Sequence, residues 1–348
     1  MEINFIKSRI TNEEDLILFD KAYSFAYDKL INRYRTDGKL LINYILQVIN
    51  TLIDFKADMQ TLIGYFLYET LKNGITENEI LQEFDEFSLN LALTTLKISS
   101  HDFIFEDESQ KFYLEQLSGD SPIDVRAILI KLTQSFYNLN KHNPSIKEYQ
   151  IQLANETLNI LIPIAKKLRL TFIKSKLEDL CLFHLNPNAY NEILDKLGNT
   201  PEELNENLND FKNNILNLLN YNEINSTIKS RVKNFYSIYN KLMSGKKWEE
   251  IYDILAIRII VDDISLCNKV IELIHSKYTF LPSRFKDYIN NPKENMYQSL
   301  HTTIIDEDGK TYEIQVRTPE MNITAEIGSA SHQLYKERTL KKEIFNKI

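Results

Sequence analysis

Through roughly the first 195 residues, apolar side chains recur every three or four positions, the spacing of an amphipathic helix. The repeat is clearest at residues 40–52, where leucine, isoleucine and valine dominate one side of the helical projection. Two capping boxes predict helix starts, one at Thr76 with Glu79 and one at Thr200 with Glu203. The first part of the chain is therefore predicted to be helical nearly throughout.

In the last third of the chain the pattern changes to short β-type runs. Residues 254–261 (ILAIRIIV) are typical of a buried strand, and residues 266–275 have helical spacing. Residues 299–317 alternate on both sides of Asp306–Gly309, where the Asp-Gly pair predicts a hairpin turn. A further helix is predicted at 321–337. Strands interleaved with helices after an all-helical half predict an α+β protein.

The second strand of this hairpin has two chemically different faces, because successive side chains point to opposite sides of a strand. The apolar face has Tyr312, Ile314 and Val316, and the polar face has Glu313, Gln315 and Arg317. An acid, an amide and a cation are thus predicted to stand in one row. By itself such alternation is typical of a solvated face of an antiparallel sheet.

Composition indicates a chain with a sizeable core and two or three domains, since 43% of its 348 residues are hydrophobic. The N-terminus has no signal-peptide core, and no uncharged apolar run approaches the roughly 18 residues that a membrane span needs. We therefore expect a cytoplasmic protein with no membrane partner. Cys181 and Cys267 form no motif and are predicted to be reduced, partly buried thiols.

Charge is distributed unevenly along the chain. Residues 226–348 carry a net charge of +3, although the whole chain carries −8. The C-terminal part is therefore the better place for an anionic ligand. A balance of +3 is too small for a nucleic-acid groove, so discrete phosphate contacts are expected and direct nucleic-acid binding is not.

Two carboxylates, Asp253 and Glu313, are predicted to lie on different strands of one sheet. Such a pair suits Mg²⁺, which keeps waters and takes further ligands from substrate phosphates. Tyr297 offers an aromatic face for a base, although a single tyrosine is more often a packing residue. The surrounding cations, each of which alone would be read as a surface residue, are Arg231, Lys233, Lys241, Arg258, Arg284, Lys286, Lys293 and Arg317. Together they can neutralise a polyphosphate, as phosphoryl transfer requires.

Two other phosphate-related motifs contribute little. The eight glycines include no Walker-type spacing, which argues against a P-loop enzyme. His101-Asp102 is a dipeptide of the kind that metal phosphohydrolases use, but a dipeptide is a weak signal, and an N-terminal helix cap or a surface pair is the favoured explanation.

Five segments of the chain resemble, in their order and spacing, the synthetase domain of RelA/SpoT homologues, which make the alarmone (p)ppGpp. They are RVKNFYSIYNK (231–241), IYDILAIR (251–258), RFKDYI (284–289), PKENMYQSLHTT (292–303) and EIQVRT (313–318), followed by AEIGSASHQLYKE. Departures are small: Val232, Asn234 and Met296 stand where the family often has proline, histidine and glycine.

The resemblance implies a nucleotidyltransferase-like mixed sheet flanked by helices. It also implies transfer of pyrophosphate from ATP to the 3′-hydroxyl of GDP or GTP, with release of AMP. Asp253 would hold Mg²⁺, Glu313 would assist the metal and act as base, and Tyr297 would stack on the acceptor guanine. The other nucleotide contacts implied are Arg231, Lys233, Lys241, Arg258, Lys286, Lys293, Asn295, Gln298, His301, Gln315 and Arg317.

The helical half resembles the metal-dependent alarmone hydrolase of the same family, without its catalytic residues. Where the family has its metal-binding His, His-Asp and distal Asp, this chain has Asn43, Tyr68-Glu69 and Gln134. Lys72-Asn73 replaces the acidic pair that orients water, and His101-Asp102 is out of position. Asn and Gln are weak, uncharged ligands, so a folded but hydrolytically inactive domain is predicted.

The resulting division is a helical HD-like pseudo-hydrolase domain at 1–150, a helical linker at 151–200 and a synthetase domain at 201–348. Two alternatives remain open at this stage: a non-catalytic guanine-nucleotide-binding module, and an enzyme that pyrophosphorylates the 3′ end of tRNA. A homo-oligomer and the preference for GDP or GTP are also left open.

Overall fold

The computed structural model describes residues 3–35, 38–99, 124–141, 146–198, 200–294 and 296–327. Contacts divide the chain into two compact units, 1–189 and 190–348. Among the described residues, none of the helices combines the length and apolar character that a membrane crossing requires. The predictions for His101-Asp102, for Asn295 and for residues 328–337 fall outside the described residues.

The first unit is built from helices, as the apolar periodicity predicts. Its helices are α1 (Ile3–Lys7), α2 (Glu13–Leu30), α3 (Leu41–Asp54), α4 (Met59–Lys72), α5 (Glu77–Leu81), α6 (Glu86–Ser99), α7 (Val125–Leu139), α8 (Lys147–Glu156), α9 (Ile162–Lys167) and α10 (Thr171–Leu185). A π-helical turn, Thr157–Leu161, joins α8 to α9. The predicted capping box at Thr76 is confirmed, because Thr76 and Glu79 satisfy each other's backbone N–H groups.

Two apolar cores stabilise this unit. One lies around α2, α3 and α4, where Phe19 packs edge-on against Phe66. The other brings α6 and α7 together with α8, α9 and α10. Helix α4 is buried on nearly all sides, and Gly64 on it lets the Leu91 side chain of α6 approach closely.

The second unit contains a mixed sheet with flanking helices. Its elements are α11 (Pro187–Leu197, shared with the first unit), α12 (Pro201–Tyr221), β1 (Thr227–Val232), α13 (Phe235–Met243), β2 (Leu255–Ile260), α14 (Ile264–Lys277), β3 (Thr279–Phe280), β4 (Lys286–Asp287), β5 (Leu300–Ile305), β6 (Thr311–Arg317) and α15 (Pro319–Ile327). The strand order is β1-β2-β6-β5-β3, with β4 pairing to β5. Only the β2–β6 pair is parallel. The predicted α+β class is confirmed.

Local predictions in this unit are also confirmed. Thr200 and Glu203 form the second capping box at the start of α12. The hairpin of β5 and β6 turns at residues 306–310, where Gly309 adopts φ +78°. The Asp306 carboxylate accepts the backbone N–H groups of Asp308 and Lys310, which fixes the turn.

One face of the sheet is apolar and covered by α12 and α14. Phe211 of α12 stacks on Tyr312 with 3.9 Å between ring centroids, and His275 of α14 hydrogen-bonds Thr302. Ile257, Ile314 and neighbouring residues complete this core, which leaves the opposite face for the polar row. The division into functional domains at residues 150 and 200 stays a prediction. Helices α8, α9 and α10, which belong largely to the predicted linker, pack in the same core as α7.

Candidate active site

The second face of the sheet gathers the predicted site residues. Residues opposite each other in neighbouring strands point to the same side. The register places Ala256 opposite both Arg231 and Glu313, and Gln315 opposite both Arg258 and His301. The members of this polar face are Lys229, Arg231, Arg258, Lys286, His301, Glu313, Gln315 and Arg317. Five strands therefore contribute to one surface.

Glu313 lies near the middle of this face, with 21% of its side chain exposed. Its Oε1 is 3.3 Å from His301 Nδ1, and its Oε2 accepts a 2.8 Å hydrogen bond from Gln315 Nε2. Burial raises the pKa of Glu313, and these two hydrogen bonds outweigh burial, so the pKa lies below its usual value. The charge of Asp253 acts in the opposite direction and raises the pKa of Glu313. Glu313 is thus ionised at neutral pH.

Asp253 precedes β2 and is held by two lysines. Lys233 Nζ lies 3.0 Å from Oδ2, and Lys241 Nζ lies 2.9 Å from both carboxylate oxygens. Burial raises the pKa of Asp253, but the bonds and charges of Lys241 and Lys233 lower it by more. Asp253 is therefore also ionised, beside two cations predicted to contact phosphate.

These two carboxylates fit a magnesium ion. Both are ionised hard-oxygen donors, and each keeps part of its side chain exposed. The described residues contain no cluster of three or more His, Cys, Asp or Glu side chains that could enclose a metal. A Mg²⁺ bound by Asp253 and Glu313 would have to complete its shell with water and substrate phosphates, as Mg²⁺ commonly does.

The polar row on β6 is not a solvated face. Gln315 is 9% exposed and Arg317 only 1%. Arg317 Nη2 donates to Gln315 Oε1 at 2.7 Å and to Tyr297 Oη at 2.9 Å. The alternative of a solvated strand face is therefore wrong. The Arg317 guanidinium is buried and bonded to neighbouring side chains, and its contact with nucleotide stays a prediction.

Tyr297 and its neighbours form an aromatic and cationic wall. Lys293 Nζ lies 5.1 Å from the Tyr297 ring centroid and 4.5 Å from that of Tyr288. Tyr288 packs edge-on against both Tyr297 and His301. Tyr297 thus lies beside the catalytic candidates, where a stacked base would be close to Glu313.

Other predicted residues lie outside the hydrogen-bonded group formed by Glu313, His301, Gln315, Arg317 and Tyr297. The Gln298 amide donates to the Ile289 carbonyl at 3.0 Å, so it braces the loop between β4 and β5. Arg231 and Lys286 on the polar face, and Lys293 beside the Tyr288 and Tyr297 rings, are exposed residues. Arg284 lies over the Tyr252 ring at 4.6 Å, next to Asp253.

Sequence reasoning missed three residues at the site. Tyr288 contacts Tyr297 and His301, Tyr252 supports Arg284, and Asn322 of α15 accepts a 3.3 Å hydrogen bond from Arg258 Nη1. Tyr288 follows Lys286 by two residues in a segment already singled out, which was an available signal. Nothing in the sequence pattern marks Asn322, because it reaches Arg258 only through the tertiary fold.

Two family models match the chain in succession, "HD domain" over residues 22–170 and "Region found in RelA / SpoT proteins" over residues 230–340. A guanosine-3′,5′-bis(diphosphate) 3′-pyrophosphohydrolase from Spiroplasma citri is 35% identical over 95% of this chain and 45% of its own length. GTP pyrophosphokinase rsh from Brucella melitensis is 31% identical over 92% of this chain and 43% of its own length. The chain belongs to the RelA/SpoT family.

The chain spans less than half the length of these RelA/SpoT relatives. Among solved structures, small alarmone synthetase 2 from Bacillus subtilis is 32% identical and covers 40% of this chain and 79% of its own, with a TM-score of 0.32. The RelA/SpoT resemblance drawn from the five sequence segments is confirmed.

The positions where RelA/SpoT hydrolases were expected to hold metal form a closed cluster in this chain. Tyr68 and Glu69 are 1% exposed and Gln134 is 8% exposed. Gln134 Nε2 donates to Glu69 Oε1 at 3.1 Å. Burial raises the pKa of Glu69, although Lys72 and the Tyr65 hydroxyl partly offset it. These side chains satisfy one another and are shielded from solvent.

Asn43 occupies a different setting, at the edge of a cavity of about 200 Å³. Arg35 lies 3.9 Å above the Tyr44 ring in this cavity, and Lys141 lies 4.3 Å from the Tyr137 ring centroid. The other lining residues are Lys39, Leu40 and Gln47. The lining residues that the structure describes are cationic, aromatic, apolar or amide side chains, and none of them is a carboxylate.

Proposed function

We propose that this chain is a (p)ppGpp synthetase that transfers pyrophosphate from ATP to the 3′-hydroxyl of GDP or GTP. The observation that carries the proposal is a pair of hydrogen-bonded carboxylates at a cation-rich sheet face: Asp253, held by Lys233 and Lys241, and Glu313, held by His301 and Gln315. Relatives named GTP pyrophosphokinase match this chain over 92% to 93% of its length, which supports the same chemistry.

The chemistry requires one proton transfer and one exchange at phosphorus. The 3′-oxygen attacks the β-phosphorus of ATP, the bond from that phosphorus to the oxygen bridging to the α-phosphate breaks, and AMP leaves. Glu313 accepts the hydroxyl proton, for which its ionised state suits it. A Mg²⁺ bound by Asp253 and Glu313 would supply charge neutralisation at the phosphates.

Substrate binding falls to the aromatic wall and the exposed cations. Tyr297 stacks on the guanine, with Lys293 beside its ring. Lys233 and Lys241 both pair with Asp253, and triphosphate oxygens could exchange with this carboxylate as their partners. Arg258, steadied by Asn322, is assigned to the adenine of ATP.

We propose that the helical unit does not hydrolyse alarmone. Three of its substituted metal positions, Tyr68, Glu69 and Gln134, are buried, Gln134 hydrogen-bonds Glu69, and none of the three supplies an imidazole. A metal there would have to displace those bonds and ionise a carboxyl whose burial disfavours charge. The Spiroplasma citri relative is named as a hydrolase, so this chain is proposed to differ from it.

The cavity around Arg35 supports a regulatory role for the same unit. Its cations Arg35, Lys39 and Lys141 and its rings Tyr44 and Tyr137 suit a planar anionic ligand. We propose that it retains a nucleotide without turning it over. The cytoplasmic location and a homo-oligomeric state stay predictions.

Incubation of the chain with ATP, GDP and Mg²⁺ tests the synthetase assignment, with AMP and ppGpp as expected products. Binding of guanine nucleotide without AMP formation would instead favour the non-catalytic module. Transfer to the 3′ end of added tRNA, with none to GDP, would favour the tRNA-modifying alternative. A separate incubation of ppGpp with Mn²⁺ should release no pyrophosphate, and release would refute the pseudo-hydrolase assignment.

A further inference from the structure

Five side chains on the polar sheet face close into a ring of hydrogen bonds. One arm runs from Arg317 Nη2 to Tyr297 Oη (2.9 Å), from Tyr297 Oη to His301 Nε2 (2.8 Å) and from His301 Nδ1 to Glu313 Oε1 (3.3 Å). The other runs from the same Arg317 nitrogen through Gln315 (2.7 Å) to Glu313 Oε2 (2.8 Å). Both arms begin at one nitrogen and end on the two oxygens of one carboxylate.

The two ends of the ring limit the direction of its bonds, because a guanidinium only donates and an ionised carboxylate only accepts. Tyr297 Oη therefore accepts from Arg317, and Glu313 Oε1 accepts from the Nδ1–H of His301. In a neutral imidazole Nε2 is then the accepting nitrogen, and it accepts the Tyr297 hydroxyl proton. In the second arm Gln315 accepts through Oε1 and is thereby turned to donate through Nε2.

We propose that Arg317 is a positioning residue: it supports the His301 tautomer and the Gln315 amide orientation in which both side chains donate to the Glu313 carboxylate. The inference rests on the proposed function, in which Glu313 is the base. Arg317 is suited to this because its two Nη2 protons diverge within a rigid plane and its burial at 1% exposure excludes competing water.

The ring also joins substrate recognition to proton transfer. Tyr297, the proposed guanine platform, is held through its hydroxyl by Arg317 and His301. Burial raises the pKa of Tyr297, which keeps the phenol protonated as the donor direction requires. A ring that loses Arg317 would therefore disturb both the tyrosine and the base.

Charged groups from several elements face Glu313 and must be considered in any pH test. His301 comes from β5, Asp253 from the segment before β2, Arg258 from β2 and Arg317 from β6 itself. Of these, the charge of Asp253 raises the pKa of Glu313 and the contact with His301 lowers it. Removing Arg317 affects Glu313 through both arms of the ring at once.

The first measurement is the pH profile of kcat/KM for three variants. Arg317→Gln should lower kcat by about 10- to 100-fold, the usual effect of losing outer support for a reactive group, and move the acid limb to higher pH. Tyr297→Phe leaves the net charge unchanged and removes the hydroxyl that links Arg317 to His301. It should therefore shift the acid limb of the pH profile in the same direction as Arg317→Gln, but by a smaller amount. In the double variant the loss of kcat/KM should be smaller than the product of the two single losses, because both substitutions break the same arm of the ring.

Arg126→Gln serves as the matched control. It removes an ion-paired arginine from the helical unit, where Arg126 binds Asp124, and should leave the acid limb in place. Arg317→Lys keeps the charge and donor capacity without the planar fork, and should recover part of the rate. If a variant only contained less folded protein, its measured rate would fall by the same factor at every pH, and the acid limb would stay at the wild-type pH.

The second measurement needs no turnover: ¹⁵N NMR of labelled histidine, with His301 assigned by comparison with His301→Gln. The expected result is a neutral His301 protonated at Nδ1 in the wild-type chain, and loss of that tautomer in Arg317→Gln. A wild-type His301 protonated at Nε2 or at both nitrogens would overturn the proposal, as would an unchanged tautomer and acid limb in Arg317→Gln. A chain with the expected tautomer that makes no product overturns the proposed function instead.

Discussion

Glu313 combines partial burial with strong hydrogen-bond support. Burial alone would raise the pKa of its carboxyl, whereas the bonds from His301 and Gln315 favour the charged form and lower the pKa by more. Its position on β6 is fixed by pairing on both sides, with Ala256 and Thr303 opposite. The site therefore offers an ionised, oriented acceptor for a proton.

Replacing Glu313 by glutamine should lower the rate of AMP formation by about 10²- to 10⁴-fold, because an amide cannot accept the hydroxyl proton. The isosteric side chain should leave the circular dichroism spectrum and melting temperature close to those of the wild type. In the wild type, the acid limb of kcat/KM that reports Glu313 should lie below pH 4.5, its usual pKa.

The stability effect of this carboxyl has a defined sign. The pKa of Glu313 is lower in the folded chain than in the unfolded chain, so its ionised carboxylate stabilises the fold at pH values above the unfolded-state pKa. This stabilisation is lost as the pH falls through the folded-state pKa. Glu313→Gln should thus lose less free energy of unfolding on acidification than the wild type. A glutamine variant with near wild-type synthesis would rule out the role of Glu313 as base.

Met296 adopts a left-handed backbone conformation, φ +62°, immediately before Tyr297. A side chain there costs about 1–3 kcal/mol, whereas glycine avoids that strain at an entropic cost of roughly 0.5–1 kcal/mol. Met296→Gly should therefore match or exceed wild-type stability in urea unfolding and retain synthesis. Met296→Val should lower stability and raise KM for GDP, since a β-branched residue fits φ > 0 poorly. A large loss of stability in the glycine variant would contradict this account.

At the scale of single elements, α4 is the central helix of the first unit. It is buried on nearly every side and carries Tyr65, Tyr68 and Glu69 into the core. Glu69 accepts from Gln134 of α7, so a polar contact joins two helices that apolar packing already holds. The cluster is stable only while its carboxyl stays uncharged or well supported.

Glu69→Gln should raise the free energy of unfolding at neutral pH. Burial raises the folded-state pKa of Glu69, so the folded chain binds more protons than the unfolded chain, and stability falls as pH rises above 4.5. The glutamine variant should lose this decline in urea titrations run at a series of pH values. Glu79→Gln is the matched control with the opposite sign: hydrogen bonds from Lys29 and Thr76 lower the pKa of Glu79 to about 2, so its removal should reduce stability near neutral pH.

At the scale of the whole molecule, the two units have separate apolar cores. The first unit is held by the clusters around α2–α4 and α6–α10, and the second by the cluster between the sheet and α12 and α14. Stability changes at distant, unconnected positions are additive. A core substitution in one unit should therefore leave the unfolding of the other unchanged.

Gly64→Ala tests this separation. A β-carbon at position 64 would meet Leu91 at 2.5 Å from Cδ2 and 2.7 Å from Cγ, so overpacking should cost about 1–3 kcal/mol. Calorimetry should show one of two transitions moving to lower temperature while the other stays in place. Adding Leu91→Val should restore part of the loss. A single transition that shifts as a whole would show that the units unfold together.

Much of the fold and part of the site could be predicted from residue patterns. Apolar periodicity and capping boxes specified the helices, and the Asp-Gly turn specified the hairpin, because these depend on neighbours in the chain. The row of Glu313, Gln315 and Arg317 followed from strand alternation alone. The same patterns could not tell whether that row faces water or protein.

The sequence by itself determined which residues are present: two carboxylates, a set of cations, and no histidines where a hydrolase would bind metal. Only the tertiary structure decided which of these residues lie side by side, which are buried and which hydrogen bonds they make. The register of β2 against β6 sets Ala256 opposite Glu313 and Arg258 opposite Gln315, and Arg317 is a buried donor that closes a ring of hydrogen bonds rather than a surface cation. Alternation gives the side of a strand, whereas burial and hydrogen-bond direction depend on groups distant in the chain, which no local pattern encodes.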